Sequence, residues 1–180
     1  NETDNYTQTH YQAFYNKKIN SKWNFNNATY LTKGDGYYEQ YKADQEFNNY
    51  ALANPVIDGI EIYSTDLIRQ LWLSNQLIGN NFSFQFKDEH KEVMLGGGTS
   101  RYNGSHFGKV IWSNIGIPKE HSWYTLKANK YESHFFTKWL QKLGSNTNLF
   151  GDIQVRDVHY KINGFRDNPS LLINKSWTFI

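Results

Sequence analysis

The chain has 180 residues, 38% hydrophobic and 17% aromatic with 13 Tyr, 12 Phe and 6 Trp, which is enough for one domain that buries large rings and too aromatic for a disordered chain. Charged residues are 20% and the formal net charge is +2, too small to mark a nucleic-acid binder; nucleic acid stays possible but is not indicated by charge. With no Cys, disulfides, thiolate nucleophiles and Cys-ligated metal are excluded.

The opening NETDNYTQ carries no basic and apolar leader, and a mature exported protein, extracellular or at the cell surface, is the expectation. No apolar run approaches the ~18 residues of a membrane helix, so no membrane span is expected. Within residues 1–20, Tyr6, His10 and Phe14, with Tyr11 and Tyr15, recur at helical spacing and predict a short amphipathic or frayed N-terminal helix. Gly34-Asp35-Gly36 lies between two aromatic arms and predicts a hairpin over 28–42. Pro55 ends the segment that follows, and Val56–Tyr63 reads as a short strand broken by Asp58-Gly59.

Ser64, Thr65 or Asp66 then caps a helix over 66–78, with Leu67, Leu71, Ser74 and Ile78 on one stripe and Gly79 just past its end. Phe82, Phe84 and Phe86 alternate strictly with polar residues. With Val93–Leu95 beyond KDEHKE they predict a second hairpin. Gly96, Gly97 and Gly98 suggest a loop presenting Arg101, Tyr102 and His106. Lys109–Ser113 and Trp123–Ala128 read as strands joined by a connection over 114–122. A further helix is predicted over 133–143 through Phe135, Trp139, Leu140 and Leu143. Phe150–Ile162 alternates with a change of phase at Arg156-Asp157, Asn163-Gly164 suggests a tight turn, and Leu171–Phe179 closes the chain as a strand.

Strands outnumber helices and βαβ alternation is absent, which predicts a single domain over 1–180 of α+β class: a β-rich antiparallel sheet or sandwich with two or three short helices. No metal-ligand spacing appears among the six His, so no metal and no cofactor is expected.

The polar and aromatic groups around the glycine run are the candidate site. Arg101, Lys109 and Tyr124, with His159 and Arg166 from the C-terminal segment, are the candidate ligand-binding residues. His106, His121 and Tyr102 are the candidates for acid–base roles. With no catalytic motif standing out, the leading expectation is binding of a glycan or other polar polymer through aromatic and cationic side chains, since sugar faces stack on rings much as bases do. The alternatives are a metal-independent enzyme cleaving a phosphodiester or uronate polymer, and a protein–protein interaction module such as a toxin or effector. Nothing in the sequence fixes the oligomeric state.

Overall fold

The computed structural model describes residues 2–118 and 121–180. It is a single antiparallel meander with almost nothing else: some 81% of the chain is strand. In chain order the long strands are β1 (Glu2–Lys18), β2 (Trp23–Glu46), β5 (Ser64–Lys87), β6 (Lys91–Ser113), β7 (His121–Lys142), β8 (Asn148–Phe165) and β9 (Asn168–Phe179). They form one seven-stranded sheet in the order β1-β2-β5-β6-β7-β8-β9, each paired antiparallel to its neighbour. Between β2 and β5 the chain makes one 3-10 turn, Phe47–Tyr50, and a two-residue ribbon of β3 (Val56–Ile57) and β4 (Ile60–Glu61). In that ribbon Asp58 and Gly59 take φ of 52° and 80°, the left-handed pair that a two-residue hairpin demands.

The expected helices are absent: the fold is a β-rich antiparallel sheet with no α-helix among the described residues, in place of two or three. Residues 66–78 belong to β5, 133–143 fall mostly in β7, and the N-terminal stretch is β1. The reason is arithmetic. Apolar residues four apart satisfy a helical stripe, but four is even, so they also share one face of a strand. Tyr6, His10 and Phe14 fall on one face of β1 with Tyr11 and Tyr15 on the other, and Phe135 and Trp139 share a face of β7. In β5 both faces carry large apolar groups, Leu67, Leu71, Leu73 and Leu77 on one and Ile68, Trp72 and Ile78 on the other, which hides the period of two.

The glycine runs are likewise strand interior. Gly34 and Gly36 lie mid-strand in β2, where a Cβ on Gly34 would meet the Tyr6 hydroxyl and one on Gly36 the backbone of Asn5 and Tyr6 in β1. Gly96, Gly97 and Gly98 lie in β6, crowded by the Phe136 ring, the His134 backbone and the Asn81 side chain. Close approach of neighbours, and not a turn, is what requires these glycines.

The KDEHKE hairpin forms as expected, Phe86 pairing with Val93 and Phe84 with Leu95. The connection predicted over 114–122 includes Lys119 and Glu120, which lie outside the described residues. At the C-terminal end β8 runs on through Asn163-Gly164 to Phe165, the register shift falls between Asn163 and Phe165, and Arg166-Asp167 make the turn.

Buried hydrophobic residues are few: Phe47, Tyr50, Leu67, Val110 and Val158. Three of these, Tyr50, Leu67 and Val110, make a small core with Leu52, Ile117 and Trp123 where the 47–55 segment folds over the sheet. Among the described residues, no second layer covers the rest of the sheet.

Candidate functional site

Because side chains alternate between faces, the ladder registers assign every strand residue to one of two surfaces. One, here the outer face, carries at the end with the three hairpins β1–β2, β5–β6 and β7–β8 a row of Trp23, Phe86, Val93 and Trp139. Next come Phe25, Phe84, Leu95 and Ile153, and then Tyr15, Phe82, Phe135 and Val155. Two residues further along each strand comes a row of small polar groups (Thr29, Asn80, Thr99, Ser133), and beyond it Tyr11, Leu31, Ile78, Arg101 and Tyr131.

Most of this band is exposed: Phe135 keeps 52% of its surface and Ile153 62%, and Phe82, Phe84, Leu95, Trp139 and Val155 are open as well. Its rings touch across strands, Phe25–Phe84 at 4.6 Å and Trp23–Phe86 at 5.1 Å between centroids. The polar side chains within it bond to one another. Asn80 Nδ2 donates to Thr29 Oγ1 at 2.7 Å and to Asn27 Oδ1 at 3.0 Å, and Thr178 Oγ1 donates to Asp157 at 3.0 Å.

The inner face over the same stretch is of another kind. Asn24, Gln85, Met94 and Lys138 form one row on it, Asn26, Ser83, Gly96 and Phe136 the next. Glu132 holds Arg156 at 2.7 Å and Lys130 at 2.8 Å, and Lys138 lies 3.8 Å from Asp152. Tyr30 lies over Gly79, Phe136 over Gly96 and Tyr102 over Gly104, so rings fill the space that missing side chains leave.

The sequence-predicted residues are divided by this alternation. Arg101 and His159 share the outer face, separated by Tyr131 in one ladder row, with His159 Nδ1 2.8 Å from Ser176 Oγ. Lys109 is also on the outer face, its ammonium 5.5 Å from the Trp72 ring centre and 5.8 Å from that of Phe107. Tyr102 and His106 are inner, the latter opposite Leu73 and Leu126. Tyr124 abuts Gly108, and His121 Nε2 donates to the Tyr50 carbonyl at 2.6 Å, holding the 47–55 segment. Arg166 pairs with Asp167 in the exposed last turn. Tyr102, His106 and His121, the acid–base candidates, are thus not assembled around one point with Arg101 or Lys109.

Two carboxylates outside the candidate site are tuned locally. The Asp88 carboxyl is held below its ordinary range by the backbone N–H groups of His90, at 2.9 Å, and Lys91, at 2.8 Å. Asp66 is lowered first by the Tyr41 hydroxyl and then by the Asp44 N–H.

Sequence reasoning missed the outer band, the Glu132 network and the polar rows beyond the band. The strict alternation of Phe82, Phe84 and Phe86 was the signal for the first. Among the described residues no group of three or more His, Asp or Glu is placed to hold a metal, and no helix is long and apolar enough to cross a membrane. No family model, no curated protein and no solved structure matches the chain.

Proposed function

We propose that the chain is part of the wall of a membrane-spanning antiparallel barrel, with the outer band against lipid and the inner face lining a water-filled passage for polar solutes. The observation that carries this reading is the exposed apolar band. From Trp23 to Leu31 it spans eight residue steps, about 27 Å of strand at ~3.4 Å each, or roughly 20 Å of height at the ~45° tilt of barrel strands. Rings at its margins extend it toward the ~25 Å apolar belt of such barrels, and aromatic rows at both limits fit the interfaces.

Three further features support it. Strands of 24 residues reach about 80 Å, far beyond the usual ~17–20 Å of globular sheets. An exposed apolar patch of this extent in water is an association hazard, whereas lipid removes it. Both β1 and β9 have one unpaired side, which closure by further strands would satisfy. The cell-surface location expected from the sequence is kept in this reading, now as part of a membrane.

The natural absence of Cys gives a direct test. Single Cys variants of the full chain at Phe84, Phe135 and Ile153, and at Ser83, Phe136 and Gln154, would carry an environment-sensitive fluorophore in bilayers containing brominated lipid. The expected result is quenching at the first three and not at the second three. Uniform quenching, or none, would refute the barrel-wall reading.

A further inference from the structure

Immediately beyond the band, the outer face holds a trough of about 610 Å³ running from β1 to β7. Its floor is made of small polar side chains, Thr7, Thr9, Ser74 and Ser105, two rows deep. Amides line it from Gln76, Asn103 and Asn129, and its charged groups are Lys33 and Lys127 against the single carboxylate Asp35. One margin is the last row of the band, with Arg101 and Tyr131. The other, two residues further along the strands, is an aromatic row in which Tyr37 and Trp72 lie 4.7 Å apart and Trp72 stacks on Phe107 at 5.7 Å and 6°. Lys161 extends the same ladder row beyond Asn129.

The cations here differ from those of the Glu132 and Asp152 ion pairs on the inner face. Lys138 and Arg156 are ion-paired between β7 and β8 and Lys130 is paired along β7, while Lys33, Arg101, Lys127 and Lys161 have no ion-pair partner among the described residues. Unpaired cations beside amide donors, with an aromatic platform at the margin, form the chemistry that holds a phosphorylated sugar. Ammonium groups meet phosphate, amides meet hydroxyls, and ring faces meet sugar C–H. Its position at the edge of an apolar band selects the source: a sugar whose acyl chains lie against Phe82, Phe135 and Val155 while its head enters the trough.

We propose that this trough binds the phosphorylated saccharide headgroup of a membrane glycolipid. The inference rests on the barrel-wall reading, because without lipid at the band there is no reason for the ligand to carry chains. It narrows the glycan ligand expected from the sequence to one class and moves it from the Arg101–Tyr124 stretch to residues of five strands.

The test uses the full chain in bilayers containing a phosphorylated acyl-disaccharide lipid or its dephosphorylated counterpart, followed by native mass spectrometry of the extracted protein. The parent chain should retain the phosphorylated lipid. A Lys33→Gln/Lys127→Gln variant should retain at least tenfold less, and Lys142→Gln, at the β7–β8 hairpin end, should match the parent. Equal retention by the double variant, or equal retention of the dephosphorylated lipid, would overturn the proposal. So would displacement of the lipid by inorganic phosphate at equal concentration, which would make the trough a free-anion site. If fluorophores at Phe84 and Phe135 are quenched by lipid while the double variant retains the glycolipid, this inference alone fails. If they are not quenched, the barrel-wall reading fails and this one with it.

Discussion

The two ends of the sheet meet the burial problem differently. At the far end the chain covers itself: the 47–55 segment lays Phe47 and Tyr50 over the strands, and Tyr50 fills a pocket between Leu67, Val110 and Trp123. Its hydroxyl donates to Gln45 and accepts from Arg69, so even the polar tip is satisfied. At the hairpin end nothing among the described residues covers Phe82, Phe84, Phe135 or Ile153, although they are as apolar as anything in the small core. On the barrel-wall reading the bare apolar face is covered by lipid, and the aromatic band is where those surroundings are apolar. The same backbone therefore supports a self-contained end and a dependent one.

The comparison is broken most severely at Tyr50. Tyr50→Ala removes a fully buried ring and its two hydrogen bonds, and large-to-small changes of aromatic residues cost roughly 3–5 kcal/mol. The expected outcome is loss of amide-exchange protection across 47–63 with the hairpin-end ladder intact. Unchanged protection in the loop would show that the far end is not self-contained.

A smaller effect separates the two faces within the ladder. A side chain on Gly36 would meet the Asn5 carbonyl and the Tyr6 Cα, which are backbone atoms that cannot turn aside. Gly36→Val should push β1 off β2 at a cost of about 1–3 kcal/mol, visible as early exchange of β1 amides. Asp35→Val, one residue away on the open outer face, should stay within about 0.5 kcal/mol of the parent in denaturant unfolding. Equal costs at the two positions would mean that the faces do not differ in packing.

That glycine also shows what was legible in the sequence. Gly34-Asp35-Gly36 and Gly96–Gly98 carry the composition of turns, and only the neighbouring strand reveals that Tyr6, Asn5 and Phe136 occupy the space beside them. A contact between residues some 30 to 40 positions apart has no local signature. The helix expectations failed for a related reason: stripes four residues apart fit both periods, and long strands apolar on both faces, such as β5, blur the alternation. Where one face stayed polar, as at Phe82–Phe86, the strand and its hairpin were readable. The hydropathy argument against a membrane span counted helices, which need about 20 apolar residues, while a strand crosses with about ten of alternating character. As for the site, Arg101 and Lys109 are on the outer face, but Lys33 and Lys127 lie in segments that read locally as a hairpin arm and a plain strand. Pairing across β2, β5, β6 and β7 is what puts them along one trough.

The finest test concerns the hairpin end's own turn, where the chain does supply its stabilisation. The Asp88 carboxylate accepts from the His90 and Lys91 backbone N–H groups, and these two bonds lower its pKa below the ordinary value near 3.9. A carboxyl whose folded pKa lies below its unfolded one stabilises the fold at every pH above the unfolded value. That contribution disappears as the pH falls through the folded pKa. Asp88→Ala should therefore lower the unfolding midpoint by a small, constant amount from pH 7 down to about pH 5. The gap between parent and variant should then close below about pH 4, as protonation removes from the parent what the substitution has already removed from the variant. A gap that persists undiminished at pH 2 would show that the Asp88 side chain holds the turn whether or not it is charged, and that ionisation adds nothing to the hairpin end.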